Sequence, residues 1–134
     1  MVLATTAIAQ TISAPTINGI EGQITENTQT SFYQIQPPTS DNLKAYLAQM
    51  TMKYGGQYYQ LYRVISCESG WNPNAKNPKS TASGVAQFLD STWNNYCGGN
   101  KDNSYDQIRC LVVAWTGGFQ SWWQESAPCW SGIN

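Results

Sequence analysis

The chain has 134 residues, with seven basic and eight acidic groups, a net charge of −1, and no histidine. Without a basic excess there is no phosphate-neutralising footprint for nucleic acid, and without histidine every Ser-His-Asp or Cys-His mechanism is excluded. Only 11% of residues are charged while 13% are aromatic, a balance that excludes a disordered body and suits either an aromatic core or an uncharged ligand such as a sugar.

Residues 1 to 38 are rich in Thr, Gln, Asn and Ile, with Glu21 and Glu26 as their only charges. Ala7-Ile8-Ala9 fits an A-x-A cleavage pattern, so residues 1–14 read either as a signal-peptide remnant or as an ordinary terminus. Gly22 to Thr25 alternates as a short strand would. Pro37-Pro38 reads as a boundary. The segment is expected to be a linker or a docking arm for a partner, and residues 39–134 a single domain. No apolar run approaches the ~20 residues of a membrane span.

Helical grammar begins at Ser40, with Ser40 or Thr39 as cap and Asp41 in the first turn. Leu43, Tyr46, Leu47 and Met50 follow on one face, and Gly55-Gly56 stops the helix. A second helix is expected from Gln57 to Ser69, closed by Gly70. Trp71 to Ser83 reads as loop, and Gly84 to Phe88 as a short strand or extended run. Asp90 or Ser91 can cap a short helix through Trp93 to Tyr96, which Cys97-Gly98-Gly99-Asn100 ends. Tyr105 to Thr116 is helical, with Ile108, Leu111, Val112 and Trp115 on one face. A last short helix carries Trp122 and Trp123 toward Cys129. The expected fold is mainly α, a helical bundle with one short irregular β region.

Four cysteines, Cys67, Cys97, Cys110 and Cys129, include no C-x-x-C pair. With no histidine beside them a zinc site is not expected, and no cofactor motif is present. Two disulfides in an oxidising compartment is the better reading, with three pairings open.

What remains is carboxylate chemistry. Leu61, Val64 and Ile65 form an apolar stripe whose next position is Glu68. A carboxylate there is desolvated and sits at the negative end of the helix, and both effects favour the protonated form. A glutamic acid that keeps its proton is what a general acid at a glycosidic oxygen requires. The alternative is a frayed helix end facing solvent. Asp90 reads as a cap, Asp102 and Asp106 as loop and first-turn residues, and Glu125 as a solvated end.

Glu68-Ser69-Gly70-Trp71-Asn72-Pro73-Asn74-Ala75, then Ala82-Ser83-Gly84-Val85-Ala86-Gln87-Phe88, then Ser91-Thr92-Trp93, resembles the soluble lytic transglycosylase domain. That family shares the lysozyme-like fold with goose-type lysozymes. The resemblance implies Glu68 as the catalytic acid and Ser69 beside it orienting substrate or acid. It also implies Gln87, Gly84 and Ser83 along the sugar cleft. Cys-Glu-Ser-Gly at the motif start and the tryptophan-rich cysteine segment at the end also look like resuscitation-promoting factors. This implies a Cys67–Cys129 bridge and leaves Cys97 to Cys110. Trp71, Tyr59, Trp93 and Trp122 are candidates for sugar stacking.

The implied reaction cleaves the β-1,4 bond between N-acetylmuramic acid and N-acetylglucosamine of peptidoglycan. Hydrolysis needs a second carboxylate, for which Asp90 or Asp102 are candidates, although neither stands in a motif. A transglycosylase needs none, since the same glutamate deprotonates the sugar's 6-hydroxyl to close a 1,6-anhydro ring. One departure concerns the A-Y-N-A-G run of many transglycosylases. Its counterpart here, Ala114 to Gly118, has no tyrosine, leaving Tyr58, Tyr59 or Tyr105 to serve or the role unfilled. The rivals are a lysozyme-type hydrolase, a non-catalytic wall-binding or assembly protein, and a chitin-cleaving enzyme. The expected location is secreted or cell-envelope, with a phage particle or secretion machine as a larger setting.

Overall fold

A computed structural model describes residues 36–132. All but the last three residues of the 1–38 arm, with its candidate cleavage pattern and docking role, lie outside the described residues. Among the described residues five α-helices and one 3-10 segment account for the regular structure, and no helix is long and apolar enough to cross a membrane.

Helix α1 spans Ser40–Tyr54, and the Thr39 hydroxyl accepts the Asn42 N–H at 3.3 Å as its cap. Asp41 and Lys53 lie at the ends where the helix dipole favours them. Its face of Leu43, Tyr46, Leu47 and Met50 is buried and packs on α4, Ser104–Thr116. Tyr46 and Tyr105 meet edge to face at 5.1 Å. Each fully buried Leu contributes about 1.5–3 kcal/mol of transfer free energy, so this seam anchors the domain. Helix α4 starts one residue earlier than its periodicity suggests, because the Asn103 side chain accepts from both Tyr105 and Asp106 N–H groups.

Helix α2 spans Tyr58–Ser69, with Leu61, Val64 and Ile65 buried. Gly70 closes it at φ 61, and its N–H reaches the Ser66 carbonyl at 3.0 Å. Helix α3 spans Asp90–Tyr96, and its N-cap is Leu89 without a side-chain bond. Asp90 is therefore not the cap expected from its residue type. Its carboxylate instead pairs with Lys101 at 2.6 Å. A 3-10 segment, η1, spans Gln120–Ser126 and leads into the four-residue α5, Ala127–Trp130. Both pack against α2.

The expected strand at 84–88 is a tight turn. Two isolated antiparallel bridges, Lys76 to Ser83 and Ser83 to Phe88, flank it. Gly84 at φ 82 and Gln87 at φ 56 reverse the chain between them. A strand would send Val85 and Ala86 to opposite faces, whereas both are fully buried here. Two disulfides complete the frame: Cys97–Cys110 joins the end of α3 to α4, and Cys67–Cys129 joins the end of α2 to α5.

Candidate active site

Glu68 is the penultimate residue of α2 and is half-buried. Burial is the largest influence on its carboxyl and pushes the pKa above its ordinary value of 4.5. A hydrogen bond with Ser126 opposes that shift, and the negative charge of Glu125 adds to it. The carboxyl thus stands between the end of one helix and the 3-10 segment, close to a second acid and a hydroxyl.

On one side lies the loop that follows α2. The Ser69 hydroxyl, 2.8 Å from the Val85 carbonyl, ties helix to loop. Gln87 Nε2 donates to the Gly84 carbonyl at 2.9 Å and lies 3.3 Å from that of Ala75, which also accepts the Gly84 N–H at 2.8 Å. Gly84 allows a close approach: a Cβ there would run into the Gln107 amide. Gln107 is fully buried on α4 and serves three backbone groups. It accepts from Ala86 N–H at 2.9 Å and donates to the Ser83 and Lys101 carbonyls at 3.0 and 2.8 Å. Sequence reasoning missed this residue. Its signal was an amide flanked by Ile108 and four residues before Leu111, on the face that packs inward.

On the other side lies the C-terminal segment. Trp123 is 4% exposed and its indole N–H donates to the Ala86 carbonyl at 2.9 Å, joining this segment to the loop. Trp130 donates its indole N–H to Ser126 Oγ at 3.0 Å, holding the hydroxyl that meets Glu68. Arg63 Nη2 donates to the Cys129 carbonyl at 2.6 Å, a second tie beside the Cys67–Cys129 bridge.

The other candidates are placed less centrally. Trp71 is 6% exposed, at φ 66, with its indole N–H 2.9 Å from Ser66 Oγ and its ring against Tyr62. It fills the core and offers no free face to a sugar. Trp93, 5% exposed, is spent in the same way against Phe88. Tyr59 is exposed, but nine residues before Glu68 puts it about 13 Å back along α2 and on the opposite face. Tyr105 is buried against Tyr46, which removes it as a stand-in for the missing tyrosine. Trp122 is partly exposed on η1. Asp106 pairs with Arg109 at 2.7 Å. Asp102 lines a pocket of about 270 Å³ with Ser83, Gly84, Lys76 and Lys101, and Glu68 is not among its walls. The acid whose charge acts on Glu68 is Glu125, not Asp90 or Asp102. Among the described residues no group of three or more Cys, Asp or Glu could hold a metal ion.

Fold and site together define a lysozyme-like, mainly helical enzyme domain. The family model of the transglycosylase SLT domain matches residues 45–116, more than half of the chain, and the chain belongs to that family. It is therefore an enzyme of the peptidoglycan lytic transglycosylase type. A peptidoglycan substrate and two disulfides fit an extracytoplasmic place of action. No curated protein matches the chain, and neither does any solved structure.

Proposed function

We propose that the chain cleaves the β-1,4 bond between N-acetylmuramic acid and N-acetylglucosamine and releases 1,6-anhydro products. The observation that carries this reading is the half-buried Glu68, held toward its protonated form at the end of α2. Its carboxylic acid donates a proton to the glycosidic oxygen as the bond to C1 breaks. The resulting carboxylate takes the proton of the 6-hydroxyl, whose oxygen closes on C1. The proton returns to Glu68, no water enters, and no cofactor is required. Ser126 supports the ionised intermediate state, since its hydrogen bond favours the carboxylate. Gln87, Gly84 and Ser83 shape the loop that borders the glycan, and Ser69 fixes that loop to the catalytic helix.

Hydrolysis of the same bond is the second reading, and Glu125 favours it. This exposed acid is close enough to act on Glu68 and is free to activate a water. Secretion follows from the same reading, since the glycan lies outside the cytoplasm.

Mass spectrometry of products from purified peptidoglycan separates the two. Anhydro-muropeptides from the wild type, falling about 10²–10⁴-fold with Glu68→Gln, are expected. Reducing-end products, each heavier by one water, would replace the transglycosylase with a hydrolase and make Glu125→Gln the next variant. A folded chain that releases neither would leave only a wall-binding role.

A further inference from the structure

Three partly exposed rings stand together at the junction of α3 and η1. Tyr96 is 65% exposed and Phe119 42%, with Trp122 between them. Ring centroids are 4.8 Å apart for Phe119–Trp122, 5.2 Å for Tyr96–Trp122 and 6.1 Å for Tyr96–Phe119. Their planes lie within 31–49° of one another. Trp122 also crosses buried Phe88 edge to face at 77°, which ties the group to the core. Together the three rings make an exposed aromatic shelf.

We propose that Tyr96, Phe119 and Trp122 form a distal carbohydrate subsite that stacks the uncharged backbone sugars of a glycan strand. It rests on the cleavage reading above for its ligand class, and extends it to a surface away from the reacting bond.

The chemistry of the surroundings selects the occupant. Residues 91–100 and 117–124, which carry the shelf, contain no charged side chain. They offer Asn94, Asn95, Gln120 and Ser121 instead, all exposed. The nearest charges are Glu125, exposed just past the segment, and the Arg109–Asp106 pair, which is engaged with itself and with the backbone of residues 98–100. The amides and hydroxyls of the shelf's own segments suit sugar hydroxyl and acetamido groups. A cluster of exposed rings is otherwise a solubility liability, which marks it as a binding surface. Its place also fits. Trp122 contacts Phe88, the residue after Gln87, and sits four residues before Ser126, which meets Glu68. Trp123, non-helical at φ −110 and ψ 25, kinks η1 between Trp122 and Ser126. Four residues span at most about 14 Å even fully extended, so the shelf lies within a few sugars of Ser126.

The test uses the full chain carrying Glu68→Gln, so that ligand is bound but not cut. Calorimetric titration with a chitin hexasaccharide measures affinity. Tyr96→Ala and Trp122→Ala, each added to that background, are expected to weaken binding about tenfold, while Tyr96→Phe, which keeps the ring, retains it. Far-UV circular dichroism and a thermal melt establish that each variant is folded. If Trp122→Ala fails to fold, the Tyr96 pair decides alone. Unchanged affinity in Tyr96→Ala overturns the proposal. A concentration-dependent dimer that Tyr96→Ala dissolves also overturns it, and assigns the shelf to a second copy of the chain. The two readings fail separately. A wild type that releases no products, yet whose hexasaccharide binding depends on the Tyr96 ring, keeps the subsite and loses the cleavage reaction.

Discussion

The two walls beside Glu68 are built on different principles. The loop from Trp71 to Phe88 is held by backbone in unusual conformations, with positive φ at Trp71, Gly84 and Gln87. Side-chain amides of Gln87 and Gln107 satisfy the peptide groups such a path leaves unpaired. The segment from Phe119 to Trp130 is held by bulk: packed indoles, three indole N–H bonds and a disulfide. The first wall lies inside the family match and the second wholly outside it. Strained backbone admits few residue types at fixed positions, so it leaves a motif. Packing admits many arrangements of similar volume, so it leaves only a composition.

Removing the disulfide of the second wall should have the largest effect. Cys67 and Cys129 are 62 residues apart, against 13 for Cys97 and Cys110. Loop-closure entropy gives about 4 kcal/mol for the first bridge and about 3 kcal/mol for the second. Chemical denaturation of Cys67→Ala/Cys129→Ala and Cys97→Ala/Cys110→Ala should show that order. Equal losses would mean that Arg63 and the indoles already fix the C-terminal segment.

The first wall is sharpened by two glycines. Gly84→Ala meets both a φ of 82 and the Gln107 amide, and should cost about 3 kcal/mol. Gly70→Ala has a φ of 61 but open space, and should cost about 1 kcal/mol. A thermal melt that ranks them the other way would show that the loop gives way before Gln107 does. Trp123→Phe keeps the ring but strands the buried Ala86 carbonyl, and should cost about 1–2 kcal/mol in the same assay.

The smallest effects are in pH dependence. Burial raises the Glu68 pKa, so the folded chain holds that proton to higher pH than the unfolded one. Its contribution is favourable below 4.5 and is lost as pH rises through the raised value. Glu68→Gln should therefore gain on the wild type as pH climbs from about 4 to about 7. Ser126→Ala removes the bond that lowers the pKa, so the alkaline fall of activity should move to higher pH. A pH–rate profile that does not move would detach the second wall from the chemistry.

Periodicity makes α1, α2 and α4 legible in the sequence, because each buries one continuous face. Glu68 is legible for the same reason, as a carboxylate continuing the apolar stripe of α2. The disulfide pairing comes from family likeness, since spacing leaves three arrangements open. The turn at 84–88 reads as a strand because Val85 and Ala86 are apolar, and no local rule shows that Gln87 takes a positive φ. Asp90 has the residue type of a cap, but its partner Lys101 is eleven positions away. Trp71 and Trp93 look alike to Trp122 in composition. Only packing separates the two buried rings from the exposed one.

The tryptophans are unevenly shared between these regions, and that gives the molecule a built-in reporter. Trp122, Trp123, Trp115 and Trp130 touch ring to ring, and Trp93 joins them through Phe88. Trp71 stands apart beside Tyr62 and Lys44. Coupled indole transitions dominate near-ultraviolet dichroism, so that signal reports chiefly on the packing of the C-terminal indoles against Trp115 of α4. The far-ultraviolet signal belongs to α1, α2 and α4. Melting the chain at both wavelengths therefore compares the helices with the indole cluster in one cuvette, and coincident curves mean that they unfold as one.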